Sequence, residues 1–148
     1  MRRPLILGLG FLLATGAVAG CSASAPFDPC PANVVRVEVF NTYADHPIAD
    51  RHEVSGDDAA DACATAFPYD RARQKTFSEA ELGQRRLTVY RFAGSDGSVR
   101  TVRVHGLAGV GAGAAILMDD GRSFHIDSAG PEPYLTADAE VVPREAIP

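Results

Sequence analysis

Three cysteines and four histidines have the most chemistry to offer: Cys21, Cys30, Cys63, His46, His52, His105 and His125. No two cysteines form a C-x-x-C pair, and no Cys-His cluster has the spacing of a zinc or redox centre. No histidine pair has the i, i+4 spacing that sets two imidazoles on one helical face. His46 and His52 lie in a polar stretch beside Asp45 and Asp50. His105 and His125, the latter near Asp127, belong to two different segments of alternating hydrophobicity. A metal-binding protein or small enzyme would have to use His105 and His125. Solvated or hydrogen-bonded imidazoles are the favoured reading, so no metal site is assigned.

The other reactive groups have structural explanations. A hydrolase serine on a strand-to-helix elbow reads G-x-S-x-G. Gly94-Ser95-Asp96-Gly97-Ser98 does not match and reads as a hairpin tip. Asp57-Asp58 suits a helix start and Asp119-Asp120 a turn. Gly106 to Gly113 is glycine-rich, but no Lys-Ser/Thr follows as a phosphate loop requires, and its spacing is not a dinucleotide fingerprint. The sequence therefore predicts no enzyme and no cofactor. The chain is acidic, with 19 Asp and Glu against 14 Lys and Arg for a net charge of −5. That balance disfavours nucleic acid and anionic surfaces as general partners.

The N-terminal stretch is more specific. Met1-Arg2-Arg3 is cationic, and Leu5 to Ala17 is apolar, interrupted by Gly8, Gly10, Thr15 and Gly16. Small residues then lead to Cys21. The three parts make a secretory signal, too short and glycine-rich for a permanent span of about 20 apolar residues. Val18-Ala19-Gly20-Cys21 resembles the lipobox of bacterial lipoproteins at every position: a branched aliphatic, two small residues, then cysteine. The resemblance covers the first 24 or so residues and leaves the later fold open. It implies cleavage between Gly20 and Cys21, a diacylglyceryl group on the Cys21 sulfur, and commonly a third acyl chain on the new amino terminus. Two or three chains hold a protein stably at a bilayer, where one holds it only marginally. Arg2-Arg3 also suggests the twin-arginine export route, which Pro4-Leu5 fits poorly.

If Cys21 carries lipid, Cys30 and Cys63 are the two thiols left, and export places them in an oxidising compartment. A disulfide between them follows from that resemblance. It would stabilise the fold by roughly 3–4 kcal/mol in the chain-entropy view. Two separate buried thiols are the alternative.

The rest of the chain reads as one small domain. Val34 to Phe40 alternates as a strand, with Val35, Val37 and Val39 on one face. Asn41 to Arg51 reads as a loop. Ser55 to Phe67 reads as the main helix, capped by Ser55 and Asp58, with Ala59, Ala60, Cys63, Ala66 and Phe67 inward and Pro68 as its stop. Ser78 and Glu81 could box a single turn ended by Gly83. Arg86–Ala93 and Val99–His105 form one hairpin about Asp96-Gly97. Ala114–Asp119 and Arg122–Asp127 form another about Asp120-Gly121. Two-residue turns would pair Val89 with Val104 and Leu117 with Phe124. Leu87, Val89, Val102 and Val104 would then share one face, and Ala115, Leu117, Phe124 and Ile126 would do so in the second hairpin.

These readings give an α+β fold: an antiparallel sheet of about five strands in the order β-α-β-β-β-β, with one main helix on one face. Residues 1–20 are the cleaved signal, 21–33 the lipidated terminus and short linker, 34–127 the globular domain, and 128–148 a proline-rich acidic tail. The expected role is a non-enzymatic binding or assembly module of the bacterial cell envelope. Acylated Cys21 would hold it to membrane lipid, facing outside the cytoplasm, with an envelope protein as candidate partner. A small enzyme or metal-binding protein using His105 and His125 is the first alternative. An inhibitor presenting the Asp96-Gly97 or Asp120-Gly121 tip to a secreted hydrolase is the second.

Overall fold

The structure, a computed structural model, describes residues 26–43, 46–67, 69–82, 86–109, 113–127 and 138–148. The signal and the Val18–Cys21 motif lie outside the described residues. Among the described residues the sheet has eight strands, not about five. They are β1 Val34–Tyr43, β2 Ile48–Ser55, β3 Arg73–Gln74, β4 Arg86–Gly94, β5 Val99–Gly106, β6 Ala114–Met118, β7 Ser123–Ile126 and β8 Ala139–Pro143. Their order is β3-β7-β6-β5-β4-β1-β2-β8, and every neighbouring pair is antiparallel. One helix, α1 (Asp58–Thr65), connects β2 towards β3 and packs on one face.

Three strands escaped the sequence reading. Half of β2 falls in the stretch read as a loop, because Asp50, Arg51, His52 and Glu53 show no hydrophobic alternation. β8 lies in the stretch read as a tail, and β3 has only two residues. In β1 a bulge between Val34 and Arg36 breaks the expected alternation, so Val35 is 41% exposed while Val37 and Val39 are buried.

Both expected hairpins form, each one residue out of the expected register. Val89 pairs with Arg103 and Tyr90 with Val102. Ile116 pairs with Phe124 and Leu117 with Ser123. The cause is the same in each. The Gly94 amide donates to the Ser98 carbonyl, and the Met118 amide to the Arg122 carbonyl, so three residues rather than two form each loop. Gly97 and Gly121 take the left-handed conformation at φ +83° and +85°, the bulged position of a three-residue hairpin. A slip of one residue exchanges the faces. Tyr90 and Phe92 therefore share the core face with Val102 and Val104, and Ile116 and Met118 share it with Phe124 and Ile126.

The main core lies between this face and α1. Val37, Val39, Tyr90, Phe92, Val102, Ile116, Met118, Phe124 and Ile126 meet Ala59, Ala62, Cys63, Ala66 and Phe67. The helix is shorter than expected. Ser55 ends β2, Gly56 turns the chain at φ +71°, and Asp57 is the N-cap without a side-chain cap bond. Ala62 faces inward in place of Ala60, which is exposed. The Ser78–Glu81 box does form: the Ser78 amide and hydroxyl both donate to Glu81 Oε2 at 2.9 Å. Those bonds, with Lys75 beside them, hold the Glu81 carboxyl down at about 2.

Phe27 and Cys30, in the stretch read as part of the linker, pack into this core. Phe27 is buried against the rings of Phe67, Tyr69 and Phe124, at centroid distances of 5.3, 5.5 and 5.0 Å. Cys30 and Cys63 are joined by a disulfide with Cα atoms 6.1 Å apart, closing a loop of sequence separation 33. Tyr69 donates to the Cys63 carbonyl, and burial pushes its hydroxyl pKa up.

Candidate functional site

The second face of the sheet, opposite α1, divides into a covered half and a charged half. Strand register places Phe40, Ala49, Val89, Leu87 and Val142 together in the covered half, where Ile147 packs on them. Two chain segments roof it from opposite edges. From the β3 edge, Lys75 accepts a bond from Ser123 Oγ at 2.7 Å, Phe77 lies 6.5 Å from the His125 ring, and His105 bonds to the Leu82 backbone. From the β8 edge, a short 3-10 turn at Arg144–Ala146 carries the chain inward until the Pro148 carbonyl accepts from Arg103 Nη2 at 2.9 Å. The two segments thus meet over β5, at residues two apart on the same face.

The charged half centres on Glu38, which is only 5% exposed. Arg51 Nε and Nη2 both donate to its Oε1, at 3.2 and 2.6 Å. Arg91 Nη1 donates to Oε2 at 2.9 Å, and Arg36 Nε stands 3.9 Å away. Arg51 also pairs with Glu53 and, at 2.9 Å, with Glu140 of β8. Burial opposes ionisation of Glu38, but the Arg51 hydrogen bonds and the charges of Arg36, Arg51 and Arg91 outweigh it. The carboxyl is held below its usual range. A carboxylate bound in this way is a poor general acid or base, because donors already occupy both oxygens. It holds the Arg51 and Arg91 guanidinium groups by hydrogen bonds and stands beside a third, that of Arg36. Arg36 and Arg91 remain 43% and 37% exposed, and Arg36 Nε has no hydrogen-bond partner among the described residues.

Replacing Glu38 with Gln should cost about 1.5–3 kcal/mol, the range for a hydrogen bond to a charged group. The folded-state pKa is lowered. The contribution is therefore complete above the unfolded glutamate value of about 4.3 and is lost as pH falls through the lower folded value. Denaturant titrations of both proteins should show a constant gap from about pH 5 upward and a narrowing gap below about pH 4. A gap that widens on acidification would contradict this assignment.

The other predicted residues are dispersed. His105 and His125 lie on the second face, on either side of buried Ala115, two strands apart. Burial, reinforced by the charge of Arg103, lowers the His105 pKa against the opposing bond to Leu82. His125 Nδ1 stands 3.5 Å from Asp127. His52 is buried on β2 opposite Val39, and His46 is exposed with its carbonyl accepting from Arg144. Among the described residues no three His, Cys, Asp or Glu gather into a metal site. Gly20 and Cys21 lie outside the described residues. The Asp96-Gly97 and Asp120-Gly121 tips stand at the same end of the sheet. The Glu38 cluster was missed in the sequence. Its signal was there: oppositely charged residues at i, i+2 in Arg36-Glu38 and Arg51-Glu53, the spacing that puts two side chains on one sheet face.

No helix among the described residues is long and apolar enough to cross a membrane. No protein-family model, curated protein or solved structure matches the chain.

Proposed function

We propose that the protein is an exported lipoprotein of the bacterial cell envelope, anchored through acylated Cys21 and serving as a non-enzymatic binding or assembly module. The observation that carries this reading is the distribution of cysteines. Cys30 and Cys63 are bridged, which leaves Cys21 outside the pair, directly after Val18-Ala19-Gly20. A bridge suits an oxidising compartment, and the remaining cysteine stands where the lipobox places it. The surface offered to an envelope protein partner is the charged half of the second face, with the partly exposed Arg36 and Arg91 guanidinium groups at its centre. Fixed guanidinium planes suit carboxylate-bearing ligands.

Cys21→Ser should yield an uncleaved or soluble product in place of an acylated one, read by intact mass and membrane fractionation. A mutant that is cleaved and still partitions with membranes would end the anchoring reading. Crosslinking in the native cells should capture a protein through the Arg91 surface, and Arg36→Ser with Arg91→Ser should abolish that capture.

A metal-binding role is a second reading, favoured by one observation: His105 and His125 share a face across a small residue, Ala115. Protein purified without chelator should then carry a divalent metal that is lost in His105→Ala. Metal-free protein removes this reading.

A further inference from the structure

We infer that the end of the sheet carrying the two Asp-Gly hairpins faces the lipid surface. This rests on the anchoring reading above. The described chain begins at that end, and it is fixed there. The Pro26 carbonyl accepts from Arg122 Nη1 at 3.2 Å, beside the β6–β7 tip. The Asn33 carbonyl accepts from the Ser95 amide at 3.0 Å, at the β4–β5 tip. Between these points Phe27 is locked among three rings and Cys30 is bridged to α1. Residue 26 cannot swing away without dismantling both.

Cys21 is five residues before Pro26. A fully extended chain spans at most about 3.6 Å per residue, so an acylated Cys21 keeps Pro26 within about 18 Å of the lipid boundary. The 10 residues of β1 run from this end to the opposite one. At about 3.3 Å each they set the two ends about 30 Å apart. A tether of that length excludes orientations with the opposite end against the lipid and the hairpin end about 30 Å above it.

The surface chemistry of this end agrees. Val35 and Val99, 41% and 45% exposed, lie at this end. The carboxylates of the tips are occupied. Asp96 accepts from the Ser98 amide and hydroxyl, Asp119 from the Thr101 amide, and Asp120 from Arg122. On the helix side of the same end stand exposed Asp57, Asp58 and Asp61 of the α1 start. Lipid phosphates repel those three aspartates, whereas the exposed valines beside the tips can enter the interface, so the tips lie closer to it than the α1 start.

The test uses the full mature lipoprotein in phosphatidylcholine vesicles containing a nickel-chelating lipid. A nitroxide is attached to one introduced cysteine at a time, in Ser95→Cys, Val99→Cys, Asp57→Cys, Ala108→Cys and Glu145→Cys. Nickel relaxation should be several-fold stronger at positions 95 and 99 than at 108 and 145, with 57 intermediate. Intact mass and vesicle flotation report the anchoring separately. Acylated, floating protein with equal or reversed relaxation at the two ends overturns the orientation alone. Protein without lipid on Cys21 overturns the anchoring and this inference with it.

Discussion

Replacing Phe92 with alanine should lower the unfolding free energy by about 3–5 kcal/mol, the usual cost of deleting a buried aromatic ring. Phe92 is 0% exposed at the middle of the core face. Its ring stacks on Tyr90 at 5.9 Å and meets Phe67 of the helix layer edge-on at 6.4 Å. Rigid strand backbone on one side and a disulfide-tethered helix on the other leave little room for collapse, so the cavity should persist. Domains of this size are stable by only about 5–15 kcal/mol, so a loss of this size is a large share of the total. Phe92→Leu, which retains most of the volume, should cost less than about 1.5 kcal/mol. Equilibrium urea titrations with a common slope would measure both. Equal losses in the two variants would show that the site does not pack as described.

The second large effect is reduction of the Cys30–Cys63 bridge. Cross-linking a loop of separation 33 stabilises the folded state by roughly 3–4 kcal/mol through the unfolded chain. The double variant Cys30→Ala with Cys63→Ala should therefore shift the denaturation midpoint well down. Reductant should shift the parent protein similarly and leave the variant unchanged. Unreduced parent protein should also be two hydrogens lighter than its reduced form by intact mass. A reductant-insensitive midpoint would remove the bridge from the list of stabilising features.

How far the sequence led can be judged at particular residues. The Asp-Gly pairs announced both hairpins, because a left-handed glycine after an aspartate has few other uses. They did not announce loop length, and that one residue decided which face Tyr90, Phe92, Val102 and Ile116 occupy. Helix α1 was legible from Ala59, Cys63, Ala66 and Phe67, yet its start was displaced by the extension of β2 to Ser55. β2 was invisible for a physical reason. Its outward positions Arg51 and Glu53 serve an ion-pair cluster, and its inward positions Asp50 and His52 lie on the penultimate strand, near the margin of the core. Polar residues thus occur on both faces, and the period-two signal disappears. Glu38 read as an ordinary outward position. Its burial depends on Arg51 and Arg91, from strands that the sequence did not place beside it.

The pairing of β2 with β8 has the longest sequence separation of any neighbouring pair in the sheet. Hairpins such as β4–β5 and β6–β7 close short loops and can form early. The Arg51–Glu140 contact joins residues 89 apart. Until β8 arrives, β2 is a bare sheet edge carrying unpaired amides and the unpaired end of the Glu38 cluster, open to pairing with another chain. The charges of β2 then have a kinetic use. Asp50, Arg51, His52 and Glu53 make that temporary edge a poor template for a foreign strand, so the residues that hid β2 from pattern reading also guard it while it waits for its partner.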